Sequence, residues 1–188
     1  MAPKVKTTRE EIISKTLELV RRDGERAINA RTIASAIGCS TQPIFSNFKN
    51  MSELRKEIVV HGYRIYLSRL ETEAKGNEYP KYKSFGMTYI KFAVEERELF
   101  KLLFMRDRNG EEMAPTADFE ESVKIIMDAN GISRESAERM HLEMWTCVHG
   151  IATMLATSFL SFEWDAVSAM ISDVYRGLRE IHVKESVK

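Results

Sequence analysis

The sequence lacks the apolar stretches that membrane-spanning and secreted proteins carry. It has no run of about 18 uncharged apolar residues, and its first eight residues contain no apolar segment of the signal-peptide kind. It has only two cysteines, Cys39 and Cys147, without paired spacing. We therefore expect a soluble, cytoplasmic protein in which both thiols are small buried side chains.

The formal net charge is zero, because 28 Lys and Arg residues balance 28 Asp and Glu residues. A neutral average argues against a protein that coats nucleic acid. The charges are nevertheless uneven, since residues 1–60 contain eleven Lys or Arg against seven Asp or Glu, which leaves a surplus of four acidic side chains in the remainder. This asymmetry fits a small DNA-binding head on a different kind of body.

Signatures of catalysis and of metal binding are absent as well. The sequence contains no nucleophile elbow, phosphate-binding loop or paired-carboxylate pattern. His141 and His149 are eight residues apart, whereas a helix seats a metal with histidines four apart. We expect neither an enzyme nor a protein with a metal or cofactor.

What the sequence does have is helical periodicity, without a convincing alternating strand segment. It predicts an all-α fold of about nine helices: an N-terminal three-helix head with a helix-turn-helix, residues 1–52, and a C-terminal helical domain, residues 53–188. The predicted helices run from a cap at Thr7 or Thr8 to Asp23, from the cap Asn29 to Ile37, from the cap Ser40 to about Phe48, from the cap Asn50 to about Lys75, and over about 82–96, 97–105, 117–130, 134–160 and 164–183. The stretch 106–115 is predicted to be the longest loop.

The segment from Ala27 to Phe48 has the pattern of two short helices joined by a tight turn. The two helices can pack together through five apolar side chains, Ile33, Ala34, Ile37, Ile44 and Phe48. Gly38 permits the turn between them. Thr41, Gln42, Ser46 and Asn47 would then face outward, with hydroxyl and amide groups suited to base edges, while Arg31 and Lys49 can meet phosphates. Pro43 predicts an irregular start to the second helix. These patterns alone favour DNA reading and mere packing equally.

The basic residues at the N-terminus also allow two interpretations. Lys4, Lys6 and Arg9 could form an arm that enters a minor groove, or a solvated tail, which is the more common case.

The strings Ile33-Ala34, Gly38-Cys39-Ser40, Ile44-Phe45, Phe48-Lys49-Asn50 and Glu53-Leu54 resemble the DNA-binding head of the TetR family of bacterial regulators. Trp145, His149 and Gly150 resemble the Trp-x-x-x-His-Gly motif of one TetR C-terminal subfamily, and residues 89–104 resemble its middle helices. The resemblance implies the following contacts to a double-stranded operator: Arg31, Thr32, Ser40, Thr41, Gln42, Phe45, Ser46, Asn47 and Lys49. Two positions depart from the family pattern, because Phe45 replaces a tyrosine whose hydroxyl reaches a phosphate, and Met51 replaces a frequent lysine.

The resemblance also implies a homodimer through the last two helices and an apolar or amphipathic small-molecule effector in the C-terminal domain. Eight of the ten methionines follow residue 86, and with nearby aromatic residues they suit either an adaptable pocket or an ordinary core. The candidate effector contacts are Tyr63, Tyr66, Tyr89, Phe92, Phe104, Met105, Met144, Trp145 and His149. The sequence thus predicts a ligand-responsive transcriptional regulator, most simply a repressor, with an architectural or cell-division DNA-binding factor without effector as the alternative.

Overall fold

The computed structural model describes residues 7–76, 78–108 and 116–185. Across those ranges it contains nine α-helices, one turn of 3-10 helix at Glu25–Ala27, and no β-strand. The predicted all-α fold is confirmed. Lys4, Lys6 and residues 109–115 of the predicted long loop lie outside the described residues. The helices are α1 (Arg9–Asp23), α2 (Ala30–Ile37), α3 (Gln42–Asn47), α4 (Met51–Ala74), α5 (Lys81–Glu95), α6 (Arg97–Phe104), α7 (Ala117–Asn130), α8 (Arg134–Ala156) and α9 (Trp164–Glu185).

Three of the predicted side-chain caps are present, at Thr8, Asn29 and Asn50. Thr8 Oγ1 accepts a hydrogen bond from the Glu11 amide at 3.1 Å. Asn29 Oδ1 accepts one from Thr32, and Asn50 Oδ1 accepts one from Glu53, both at 2.9 Å. Each cap satisfies an amide that the first helical turn leaves without a partner.

Two predicted boundaries were wrong. α3 begins at Gln42 after Thr41, and no side chain caps it. Thr41 itself has helical backbone angles, φ −72° and ψ −14°, whereas a side chain that caps a helix belongs to a residue in an extended conformation. α8 ends at Ala156 and not at residue 160, because Ser158 takes a left-handed conformation with φ +56°. The amide of Phe159 then donates to Met154 O at 2.9 Å and closes the helix end.

The chain forms two compact units, which we call the N-terminal unit (residues 1–66 and 96–107) and the C-terminal unit (67–95 and 108–188). The predicted functional division after residue 52 is a different partition, and it stays a prediction. α4 is one continuous helix whose residues belong to both units.

In the N-terminal unit, α1 packs against α2, α3 and α6 around fully buried side chains such as Ile12, Ile33 and Ile44. α6 is therefore part of the unit that carries the helix-turn-helix. Its start is tied to α1 by Arg21, which forms a two-pronged ion pair with Glu96 at 2.9 Å. α4 and α6 approach closely at Gly62, where an added Cβ would lie 2.9 Å from a Cδ of Leu99.

In the C-terminal unit, α8 packs against α5, α7 and α9. Gly86 of α5 allows close packing, since a Cβ there would lie 3.4 Å from Val148 Cγ2. A cluster of apolar side chains joins α7 to α8 through the buried residues Val123, Ile126 and Met140. None of the helices across the described ranges is both long enough and apolar enough to cross a membrane.

Candidate nucleic-acid interface

The turn between α2 and α3 depends on a left-handed residue. Gly38 has φ +78° and ψ 32°, and its amide and that of Cys39 both donate to Ala34 O at 3.0 Å. A Cβ at position 38 would meet no atom within 4 Å, so the turn needs glycine for its backbone conformation and not for space. Cys39, predicted to be buried, is half-buried in this turn.

α3 is anchored by one face and presents the other to solvent. Ile44 is fully buried and Phe48 is 2% exposed, so both pack into the N-terminal unit. Gln42, Phe45 and Ser46 are exposed on the opposite side, at the spacing that puts residues on one helix face. The Gln42 side-chain amide forms no hydrogen bond with the rest of the described chain, which leaves it available to a ligand.

The nine predicted DNA contacts divide by exposure. Arg31, Ser40, Gln42, Phe45, Ser46 and Lys49 are exposed, whereas Thr32, Thr41 and Asn47 are half-buried. Within the described residues, neither Arg31 nor Lys49 forms an ion pair. Neither cationic group is therefore held in a close ion pair by a carboxylate of that part of the chain.

Asn47 has an internal role that the sequence did not predict. Its amide nitrogen donates to Pro43 O at 2.8 Å and to Thr7 O at 3.3 Å. The side chain therefore ties the end of α3 to the segment before α1, and only its amide oxygen remains for a base edge.

Arg9 reinforces the same junction and is part of neither an arm nor a solvated tail. Its guanidinium donates to Asn47 O at 2.6 Å and to Glu53 and Glu57 at 3.0 Å, and it lies 4.2 Å from the Phe48 ring centroid. The backbone N–H of Lys49 and the Arg9 guanidinium both donate to Glu53 and lower the pKa of its carboxyl group. This network fixes the end of α3 and the backbone of Lys49. In the sequence, the only indication of the network is Arg9 at the start of α1.

The predicted effector contacts form two sets. In the N-terminal unit, the Tyr66 and Phe104 rings meet edge-to-face with centroids 5.2 Å apart, and Tyr63 lies 5.7 Å from Tyr66. Met105 follows α6 and is 38% exposed. Tyr66 is 4% exposed, whereas Tyr63 and Phe104 are half-buried, so the set ranges from buried to exposed.

In the C-terminal unit, Tyr89 and His149 are hydrogen-bonded, with Tyr89 Oη 2.8 Å from His149 Nδ1. The Trp145 ring stacks on the imidazole at a centroid distance of 4.8 Å, and burial lowers the pKa of His149. Phe92 and Met144 are buried in the core. Gly150, which follows His149, is not at a close backbone approach, because a Cβ there would meet no atom within 4 Å.

A surface depression of about 520 Å³ lies along α7 and the start of α8, lined by Glu120, Glu121, Lys124, Met127 and Arg134. It contains none of the predicted effector contacts and is mostly charged. No group of three or more His, Cys, Asp or Glu that could hold a metal occurs among the described residues.

The large exposed apolar side chains of the C-terminal unit lie on α8, on α9 and in the segment that joins the two helices. They are Leu142, Trp145, Phe159, Leu160, Trp164 and Ile181, with Leu142 60% exposed and Phe159 75% exposed. Another set of apolar side chains of α8, namely Ala137, Met144, Val148 and Ile151, is buried inside one chain and is therefore not available to a second subunit.

Comparison with known proteins identifies the C-terminal part of the chain. Residues 82–174, from α5 into α9, match the family model described as the tetracyclin repressor-like C-terminal domain. No curated protein matches the chain. Membership of the subfamily with the Trp-x-x-x-His-Gly motif stays a prediction.

Proposed function

The chain belongs to the TetR family, and we propose that it is a DNA-binding transcriptional regulator that acts as a repressor. In this proposal a homodimer binds a near-palindromic operator, and an apolar or amphipathic small molecule releases it. The two α3 helices would enter major grooves about one helical turn, roughly 34 to 36 Å, apart.

The exposed face of α3 is the observation that carries the proposal. Gln42 and Ser46 offer amide and hydroxyl groups without charge, and such groups discriminate between base edges in the major groove. Arg31 and Lys49 flank this face with cations that position the head on phosphates. Thr32, Ser40 and Thr41 complete the proposed contacts, and we assign to Asn47 the role of holding α3 in place.

The exposed apolar side chains of α8 and α9 support the homodimer. Two long helices from each subunit form a four-helix interface when their outer faces are apolar, and Leu142, Trp145 and Ile181 provide such side chains. A two-fold dimer also matches the symmetry of a palindromic site.

For effector release, we propose both aromatic sets as candidate contacts, with the Tyr89–His149 pair supplying the polar groups. An effector can shift the dimer away from its DNA-binding state only by its difference in affinity for the two states. α4, which continues from one unit into the other, is the proposed transmitter.

Selection of bound fragments from random DNA, followed by mobility-shift titration at fixed salt, tests the function. We expect a near-palindromic site. Gln42→Ala should relax the preference at one base pair of each half-site, with a loss of about 1 to 3 kcal/mol in discrimination. Lys49→Ala should weaken binding to all sequences and flatten the salt dependence. Unchanged preference in Gln42→Ala would contradict the proposed readout.

Sedimentation tests the interface, and a ligand screen tests the effector. Leu142→Arg should yield monomers, whereas Ser14→Arg, at an exposed position of α1, should not. A screen of apolar and amphipathic compounds should find one that raises the unfolding temperature and releases DNA. If DNA binding is specific and no compound does so, the architectural or cell-division factor is the better assignment.

A further inference from the structure

Phe45 is an aromatic ring in the middle of an otherwise polar surface. It is 52% exposed, and the other large apolar side chains exposed in the N-terminal unit are Val60 and Met105, which lie outside α3. Phe45 follows Gln42 by three residues within α3, so the two side chains share one face of that helix.

The ring does not serve as a core buttress. Ile44 and Phe48, on either side of it in sequence, already fill the interior at 0% and 2% exposure. A phenylalanine has no atom that donates to or accepts from a phosphate. Its exposed apolar area therefore needs an apolar partner to contribute to binding.

The major-groove edges of the four base pairs carry one methyl group, the C5-methyl of thymine. The other groups there are hydrogen-bond donors and acceptors and the bare C5–H of cytosine, which offers a ring much less apolar surface than a methyl group does. An exposed ring beside the Gln42 amide, on the face of α3 that carries the proposed base contacts, matches this methyl group in chemistry.

We propose that Phe45 is a specificity-determining residue that selects a thymine in each operator half-site by packing against its C5-methyl group. The inference rests on the proposed DNA-binding function and names one feature of the operator. It assigns Phe45 to base recognition, whereas in the TetR pattern a tyrosine at this position contacts a DNA phosphate.

Deoxyuridine is the appropriate probe, because it keeps every hydrogen-bonding group of thymine and removes only the methyl. Each thymine of the selected operator is replaced singly, and the dissociation constant is measured by fluorescence anisotropy at fixed salt. Loss of one buried methyl corresponds to about fourfold weaker binding, and loss in both half-sites to about fifteenfold. We expect this penalty at one thymine position of each half-site.

Two variants connect that penalty to the ring. Phe45→Ala should bind the thymine operator more weakly and show no penalty for uracil at the same position. Val60→Ala, which removes an exposed apolar side chain from α4, should keep the full penalty. Both positions are exposed, so the unfolding temperatures should stay close to that of the unchanged protein.

Two outcomes overturn the inference while leaving the proposed function intact. One is an operator in which no uracil substitution weakens binding. The other is a uracil penalty that persists unchanged in Phe45→Ala. A protein that binds no DNA with sequence preference contradicts the proposed function itself, and this inference with it.

Discussion

Replacing Asn47 with alanine distinguishes a residue that holds the recognition helix from one that reads bases. The substitution removes the donor that bonds Pro43 O at 2.8 Å and Thr7 O at 3.3 Å. A net hydrogen bond contributes about 0.5 to 1.5 kcal/mol, and the longer of the two contributes toward the low end. Alanine returns up to about 0.7 kcal/mol through its higher helix propensity. We expect Asn47→Ala to lower the free energy of unfolding by about 1 kcal/mol.

The effect on DNA binding follows from the same geometry. α3 would be less firmly held against the start of α1, so the ordered state that binds DNA would be less populated. Apparent affinity should fall by a similar factor for every sequence, whereas Gln42→Ala should change the preference at one base pair. Urea unfolding gives the stability change, and competition between operator variants gives the preference.

Ser46→Ala is the matched control, because Ser46 is exposed on the same helix and its hydroxyl donates only to Gln42 O within that helix. It should change stability less than Asn47→Ala does. The reasoning is refuted if Asn47→Ala leaves the free energy of unfolding unchanged and alters the base preference.

Two further predictions concern the cores of the units. Gly62→Val should lower the free energy of unfolding by about 1 to 3 kcal/mol in urea titration, because its side chain would collide with Leu99 and Leu103; equal stability would show that α6 can move away. Burial lowers the pKa of His141 and His149 in the folded protein. In the unfolded chain both imidazoles have the ordinary histidine pKa of about 6.5 and therefore bind protons at a higher pH than in the folded protein. The free energy of unfolding should consequently fall as the pH drops from about 7 to about 5.5. His141→Gln should reduce this pH dependence, and a dependence that is unchanged would exclude His141 as a cause.

Local signals were the part of the fold that the sequence predicted well. The caps Thr8, Asn29 and Asn50 act on amides three residues away, so the pattern that reveals them is contained in one short segment. The left-handed Gly38 is local in the same sense. Helix ends that depend on the conformation of one non-glycine residue, such as Ser158, leave no comparable pattern.

Contacts between distant segments were not predictable in this way. The placement of α6 in the N-terminal unit depends on the Arg21–Glu96 ion pair and on the close approach at Gly62. Nothing in the sequence of α6 alone distinguishes these partners from others. The amide of Asn47 was equally ambiguous, because the same group can donate to a base edge or to a backbone carbonyl.

In the last two helices, the apolar pattern of the sequence does not distinguish a core face from a possible dimer face. Residues such as Met144 and Val148 recur at helical spacing, and burial inside one chain produces the same recurrence as burial between two chains. The structure separates the cases, because these side chains are buried within a single chain while Leu142 and Trp145 remain exposed. The outer face, less regular in sequence, is thus the better candidate for the dimer contact.

The charge of the recognition surface limits how operator affinity can arise. Arg31 and Lys49 are the cations among the proposed contacts, and Phe45 and Met51 stand where the family pattern has a tyrosine and a lysine that meet phosphates. Two phosphate contacts per head, four per dimer, correspond to a slope of about −3.6 in log K against log salt concentration. Base-edge contacts and the pairing of two heads must then supply much of the affinity. A monomeric variant should therefore lose operator binding well before it loses its fold, since each head alone has little electrostatic attraction to DNA.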